Sequence, residues 1–270
     1  MRKLSTYLYL ILLIFAVSCG QFRKIEKNPD WRVKYEGALN YYNKKDYFKA
    51  SSLFEQILPI VRGLPEGEKV QFNMAYCQYY QKFYLLASEQ FKTFYETYGR
   101  SSLVEEARYM YAHSLYSSSP GPELDQSNSR QAMAAMQEFV NRYPKSKFID
   151  QAVESITIMQ SKLEEKGFEN ARQYYKMRQY KASIVAFENF QKNFPDSKYI
   201  EEAQYLIILS QFSLAQQSIY SKQEERYKEV IENYKQLIDK YPNSTFLRDA
   251  ERVYSESLQK LSKFKSDKNI

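Results

Sequence analysis

The sequence of 270 residues predicts an all-α fold, a stack of about five helix–turn–helix units closed by a C-terminal capping helix. Three observations predict it. Glycine is scarce, at seven residues, which disfavours the β-sandwiches, propellers and glycine-rich nucleotide loops that depend on positive-φ turns. Aromatic and small residues recur at spacings of three and four, the period of one helical face. One junction is also written four times without gaps: YGRSSLVEEA at 98–107, YPKSKFIDQA at 143–152, FPDSKYIEEA at 194–203 and YPNSTFLRDA at 241–250.

The N-terminus reads as an address. Arg2 and Lys3 precede an apolar run over 8–17, too short to span a bilayer, so 1–18 is expected to be a signal peptide. Its end, Ala16-Val17-Ser18-Cys19-Gly20, resembles the lipobox of bacterial lipoproteins, with Ala16 where the usual residue is Leu. The resemblance makes Cys19 the expected lipidation site and the membrane a partner through that anchor. Residues 19–30 form a polar tether. The tether lacks the Asp that marks inner-membrane retention in enteric lipoproteins, and it lacks an acidic surface-export run. The outer membrane, on its periplasmic face, is the expected location.

Charge and cysteine usage narrow the function classes. Without 1–18 the chain keeps a net +5, with no dense basic stripe, so no nucleic-acid partner is expected. Cys77 is then the only thiol, which excludes an intramolecular disulfide, and its setting Ala75-Tyr76-Cys77-Gln78-Tyr79 reads as a buried helix. One histidine and two distant cysteines build no Cys/His metal site. His113 has no evident nucleophile or orienting partner and reads as a partly packed helix residue. The chain is therefore expected to be non-enzymatic, with no catalytic residue, metal or cofactor.

From Trp31 onward each element has a local reason. Pro or Gly at the second junction position stops the preceding helix, and the Ser at the fourth stands where it caps the next one. The acids that follow favour the positive end of the new helix. First helices carry Ala38, Ala75, Ala112 and Ala171. Second helices carry Tyr47/Ala50/Phe54, Tyr84/Ala87/Phe91/Phe94 and Tyr180/Ser183/Phe187/Phe190, with a weaker copy in Tyr227/Val230/Tyr234/Leu237. From Ala38 to Ala50 and from Ala75 to Ala87 the distance is twelve residues in both cases. A 117–129 insertion is expected inside the third unit. The fourth unit is expected to open on a long helix from about Phe148 that bends near Lys166-Gly167. The Lys and Glu residues of 222–229 read as a solvated helix start, 245–263 as the capping helix and 265–270 as a flexible tail.

This pattern resembles the tetratricopeptide repeat, implying a superhelical solenoid over 31–264. Lipobox, short tether, five repeats and Tyr-Pro-x-Ser junctions together resemble the BamD family of outer-membrane β-barrel assembly lipoproteins. That resemblance implies a scaffold that docks a BamA-type Omp85 barrel protein on its C-terminal repeats. It also implies that the N-terminal repeats help recognise unfolded outer-membrane β-barrel proteins. Another periplasmic repeat lipoprotein, such as a CpoB-like Tol-Pal coordination factor, is the alternative, although no heptad run precedes Trp31. A glycan-capturing SusD-class chain would be about twice as long.

In such repeats the groove side of the first helix falls at fixed positions. In units one and two these positions include Tyr35, Tyr42, Phe72, Tyr76, Tyr79 and Tyr80. Rings there offer wide contact area with few rotatable bonds, and a phenol can bond a peptide backbone. The same rings would also serve as packing between helices, and the sequence leaves both uses open.

Overall fold

The computed structural model describes the backbone of residues 20–267 and the side chains of 20–264. The expected signal peptide and the lipidation site Cys19 lie outside the described residues. Among the described residues every regular element is a helix: α1 (described part 20–26), α2 (Trp31–Asn43), α3 (Tyr47–Val61), α4 (Pro65–Tyr80), α5 (Tyr84–Thr97), α6 (Val104–Ser117), α7 (Ser127–Arg142), α8 (Ile149–Lys176), α9 (Tyr180–Asn193), α10 (Ile200–Gln216), α11 (Tyr220–Lys240) and α12 (Leu247–Asp267). They fall into two compact units, whose described parts cover 20–120 and 125–159 in one and 121–124 and 160–267 in the other.

The first unit contains α1 to α7 and the start of α8. From α2 to α7 each helix packs on its sequence neighbour, the arrangement of consecutive antiparallel pairs. Ala38, Ala50, Ala75, Ala87 and Ala112, the small residues of the repeat, are fully buried and let the backbones approach. Phe54, Phe91 and Phe94 fill the space beside them. Truncating one such ring to Ala removes about 3–5 kcal/mol. Gly67 belongs to this close approach, since a Cβ there would meet the Val61 carbonyl oxygen at 2.4 Å.

The second unit holds the rest of α8 and α9 to α12, around Phe168, Phe187, Phe190, Ile207, Val230 and Leu237. The weaker repeat copy packs as its spacing implies, with Tyr227, Val230, Tyr234 and Leu237 all buried. Of the Lys and Glu residues of 222–229, Lys222, Glu225, Lys228 and Glu229 are exposed and Glu224 is half-buried, while Glu229 Oε2 also accepts from Gln211 Nε2 at 2.5 Å. α8 runs as one long helix, Ile149–Lys176, continuing through Lys166-Gly167 as expected. Gly167 serves packing: a Cβ on it would stand 3.2 Å from both the Phe190 and Phe194 rings. The inserted loop is shorter than expected, 118–126, because α7 already begins at Ser127. Its Pro122, Glu123 and Leu124 carbonyls accept from Lys166 Nζ at 3.4, 3.3 and 2.7 Å. At the C-terminus α12 continues past the expected 263 to Asp267.

The four junctions fold alike. In each, the Ser N–H donates to the carbonyl of the aromatic three residues before it. The Ser hydroxyl accepts from the backbone N–H two residues on: Leu103 to Ser101 (3.0 Å), Phe148 to Ser146 (3.2 Å), Tyr199 to Ser197 (3.3 Å) and Phe246 to Ser244 (3.1 Å). This is the expected cap, offset by a turn before the helix proper. In the first unit two of these hydroxyls also donate to a glutamate of the preceding unit, Ser101 to Glu68 and Ser146 to Glu105.

The left-handed cap expected of glycine falls elsewhere. Lys45 (φ 61°), Lys82 (φ 66°) and Arg178 (φ 60°) take that conformation in the turns inside units one, two and four. Each is held by the same pair of bonds, as when Lys82 N–H donates to Tyr79 O and Phe83 N–H to Gln78 O.

Candidate functional site

Five of the six residues expected on the groove side are half-buried or exposed, and four of them meet in one aromatic face of the first unit. α4 supplies Tyr76, Tyr79 and Tyr80 because spacings of three and four place them on one side of the helix. α2 supplies Tyr42 at its last turn. Between them stands Tyr47 of α3, assigned from sequence only to repeat packing. Its ring meets Tyr42 edge-on at 5.7 Å and stacks on Tyr80 at 4.5 Å. Tyr80 stacks in turn on Tyr76 and lies edge-on to Tyr79, both at 5.7 Å.

Two expected residues lie off this face, although the Phe72 ring meets that of Tyr76 edge-on at 5.1 Å. Phe72 is 7% exposed, filling the space between α4 and α5 against Phe91 and Phe94, so it is a core residue and not a groove residue. One turn earlier on α4 than Tyr76, it points where α5 closes over the helix. Tyr35 packs against the α2–α4 core and has no ring contact with the others among the described residues.

α6 completes the face with residues that sequence reasoning did not place there. Tyr76 Oη donates to Glu106 Oε1 at 2.5 Å. Tyr79 Oη lies 3.1 Å from His113 Nδ1, and the His113 ring contacts those of Tyr79, Tyr109 and Tyr116. The sequence signal was available, since His113 follows Ala112 as Tyr76 follows Ala75, but one imidazole alone does not announce a partner thirty-four residues away.

Burial sets the protonation of this face. It raises the phenol pKa values of Tyr42, Tyr76, Tyr79 and Tyr80, and at Tyr76 the hydrogen bond to Glu106 adds to the effect. Burial lowers that of His113, so the imidazole is neutral at pH 7. The face thus presents neutral rings with hydroxyl groups, suited to binding apolar side chains and peptide backbone. Ser117 Oγ stands 3.5 Å from His113 Nδ1, but no carboxylate of the described residues bonds the imidazole to orient it as a general base. Among the described residues no group of His, Cys, Asp and Glu is placed to hold a metal ion. No described helix is long and apolar enough to cross a membrane.

The second unit has its own open cleft of about 770 Å³, to which sequence reasoning assigned no residue. Tyr174, Tyr180, Val185 and Leu214 give it apolar lining, and Arg178 and Gln217 line it as well. These residues come from the end of α8, the first turns of α9 and the end of α10, and only packing brings them together.

The chain is similar to a solved structure of a Podosopora anserina putative kinesin light chain with nearly identical TPR-like repeats, at 14% identity and a TM-score of 0.33, covering 79% of this chain and 96% of that one. No curated protein matches. The family model YfiO, described as "Outer membrane lipoprotein", matches over residues 29–184 and 160–264. Those matches take in every helix from α2 to α11 and all but the last residues of α12, and the chain belongs to this family of outer-membrane lipoproteins.

Proposed function

We propose that this chain is a non-enzymatic scaffold of outer-membrane β-barrel assembly, of the BamD type. In this reading it is anchored through Cys19 on the periplasmic face of the outer membrane. Its C-terminal repeats hold a BamA-type Omp85 barrel protein, and its N-terminal repeats receive segments of unfolded barrel proteins. The observation that carries the reading is the face formed by Tyr42, Tyr47, Tyr76, Tyr79 and Tyr80. A barrel strand alternates apolar and polar side chains, so an extended segment can lay rings against these rings. Its free backbone carbonyls can accept from the phenols. Membership of an outer-membrane lipoprotein family supplies the compartment in which such segments are met. The apolar cleft of the second unit is the surface the reading assigns to the barrel partner.

Affinity capture of this protein from solubilised outer membranes is expected to recover an Omp85-type barrel protein. Recovery of only Tol-Pal or peptidoglycan-associated proteins rejects the assembly role. For the aromatic face, Tyr42→Ala with Tyr80→Ala is expected to weaken binding of a barrel C-terminal peptide by about tenfold or more. Unchanged affinity in a folded variant removes the face from the mechanism.

A further inference from the structure

One edge of the first unit carries large apolar side chains that stand exposed. Phe48, Phe83 and Leu85 are 71%, 57% and 55% exposed. They flank the α2–α3 and α4–α5 turns, which are held side by side by the Tyr47–Tyr80 stack and by Gln81 Nε2 donating to Tyr47 O at 3.4 Å. Lys44, Lys45 and Lys82 stand exposed in the same two turns, and among the described residues none of them makes an ion pair. The one nearby acid within these turns, Asp46, is matched by Lys49 at 2.7 Å. Apolar groups interleaved with unpaired lysines suit the boundary between phospholipid headgroups and acyl chains.

The path of the N-terminus points to the occupant. α1 lies antiparallel along α2: Phe22 meets Tyr41 edge-on at 5.6 Å, and Ile25 sits over Gly37 with no room for a Cβ between them. Numbers rise along α1 as they fall along α2, so Gly20 lies toward the Lys44 end. The described chain therefore begins at the same edge that exposes Phe48 and Phe83. In a family of outer-membrane lipoproteins, that is the end from which the chain leads to its anchor.

We infer that this edge is a second membrane-contact surface, which docks on a phospholipid bilayer beside the anchor and fixes how the first unit is presented. The orientation rests on Cys19 being the anchored residue. The affinity of the edge for lipid does not, because the turns and their lysines are independent of acylation. Anionic lipid is the preferred surface, since the three lysines face it without competing carboxylates.

Two arms test this on the full mature chain. In the first, the lipidated protein carrying Trp31→Phe and Phe83→Trp is reconstituted into phosphatidylethanolamine–phosphatidylglycerol vesicles. Tryptophan emission is expected to shift to the blue and to be quenched by brominated acyl chains. Ile60→Trp in the same background, at the opposite end of α3, is expected to remain unquenched. An unquenched tryptophan at 83, or equal quenching at 60 and 83, overturns the proposal. Shielding at 83 that appears only when an Omp85-type barrel protein is added also overturns it, and reassigns the edge to a protein partner.

In the second arm the unlipidated Cys19→Ser chain is floated with phosphatidylglycerol vesicles. Lys44→Gln, Lys45→Gln and Lys82→Gln together are expected to lower binding roughly a hundredfold at low salt. Phe48→Ser with Phe83→Ser is expected to lower it with little change in the salt dependence. Unaltered binding in both sets overturns the proposal. Absence of acyl chains on the wild-type protein would remove the anchor while leaving this second arm standing, so the two failures are distinguishable.

Discussion

Tyr76 of α4 and Glu106 of α6 are joined by a 2.5 Å hydrogen bond from phenol to carboxylate across thirty residues of sequence. The bond ties the aromatic face of the second repeat to the first turn of the third, where Lys147 also approaches Glu106 at 3.8 Å. Tyr76→Phe keeps the ring stacking and removes only the donor, leaving a half-buried carboxylate short of a partner. The expected loss is about 1–2 kcal/mol, read as a lower urea midpoint with an unchanged slope. A stability equal to wild type would mean that water replaces the phenol fully.

Lys82 is expected to be better replaced than kept, as far as folding goes. Its φ of 66° is comfortable for glycine and strained for a side chain with a Cβ. Lys82→Gly is expected to stabilise by about 0.5–1 kcal/mol after allowance for the greater entropy of glycine in the unfolded chain. Thermal and chemical denaturation read this directly. Its gain in stability, set beside the expected loss of vesicle binding, would separate the folding role of this turn from its surface role.

His113 gives the first unit a pH dependence of predictable sign. Burial holds its folded pKa below the ordinary 6.5, so on acidification the unfolded chain takes up a proton before the folded one does. Above about pH 6.5 the residue contributes nothing. Between 6.5 and the lower folded value stability falls as pH falls. His113→Gln is expected to flatten the dependence in that window when unfolding midpoints are compared from about pH 7.5 down to about pH 5. A slope identical to wild type would mean that the imidazole titrates alike in both states.

Gly167 is required by contact, not by backbone freedom. Gly167→Ala is expected to lie within about 1 kcal/mol of wild type, because the gain in helix propensity offsets a displacement of a few tenths of an ångström by two rings. Gly167→Val has no such offset and is expected to lose about 2–3 kcal/mol, with Phe190 and Phe194 forced out of place. Calorimetric unfolding of the two variants checks the contrast.

The repeat was legible in the sequence because its signals are local. An aromatic, a helix stop and a Ser within four residues fold the same way wherever they occur, so Ser101, Ser146, Ser197 and Ser244 make the same bonds in both units. The periodicity of Ala50/Phe54 and Ser183/Phe187 likewise names the buried side of each second helix without reference to any partner. The all-α class, the order of the helices and the core positions follow from such short-range rules.

What tertiary structure alone decided involves residues far apart in sequence. Phe72 and Tyr76 occupy equivalent-looking places on α4, yet one is buried and the other half-buried: Phe72 is enclosed by both Phe91 and Phe94 of α5, whereas Tyr76 meets only Phe91 of that helix and turns its phenol to Glu106. Tyr47 joined the aromatic face because stacking on Tyr80 across thirty-three residues left its ring there. His113 acquired a partner for the same kind of reason. Gly167 is a contact point for rings twenty-three and twenty-seven residues later, which its place in the helix pattern did not announce. A sequence specifies the face a helix buries through the period of its own residues. Which of those residues meets another depends on the crossing of two helices, and that is set by the whole packed unit.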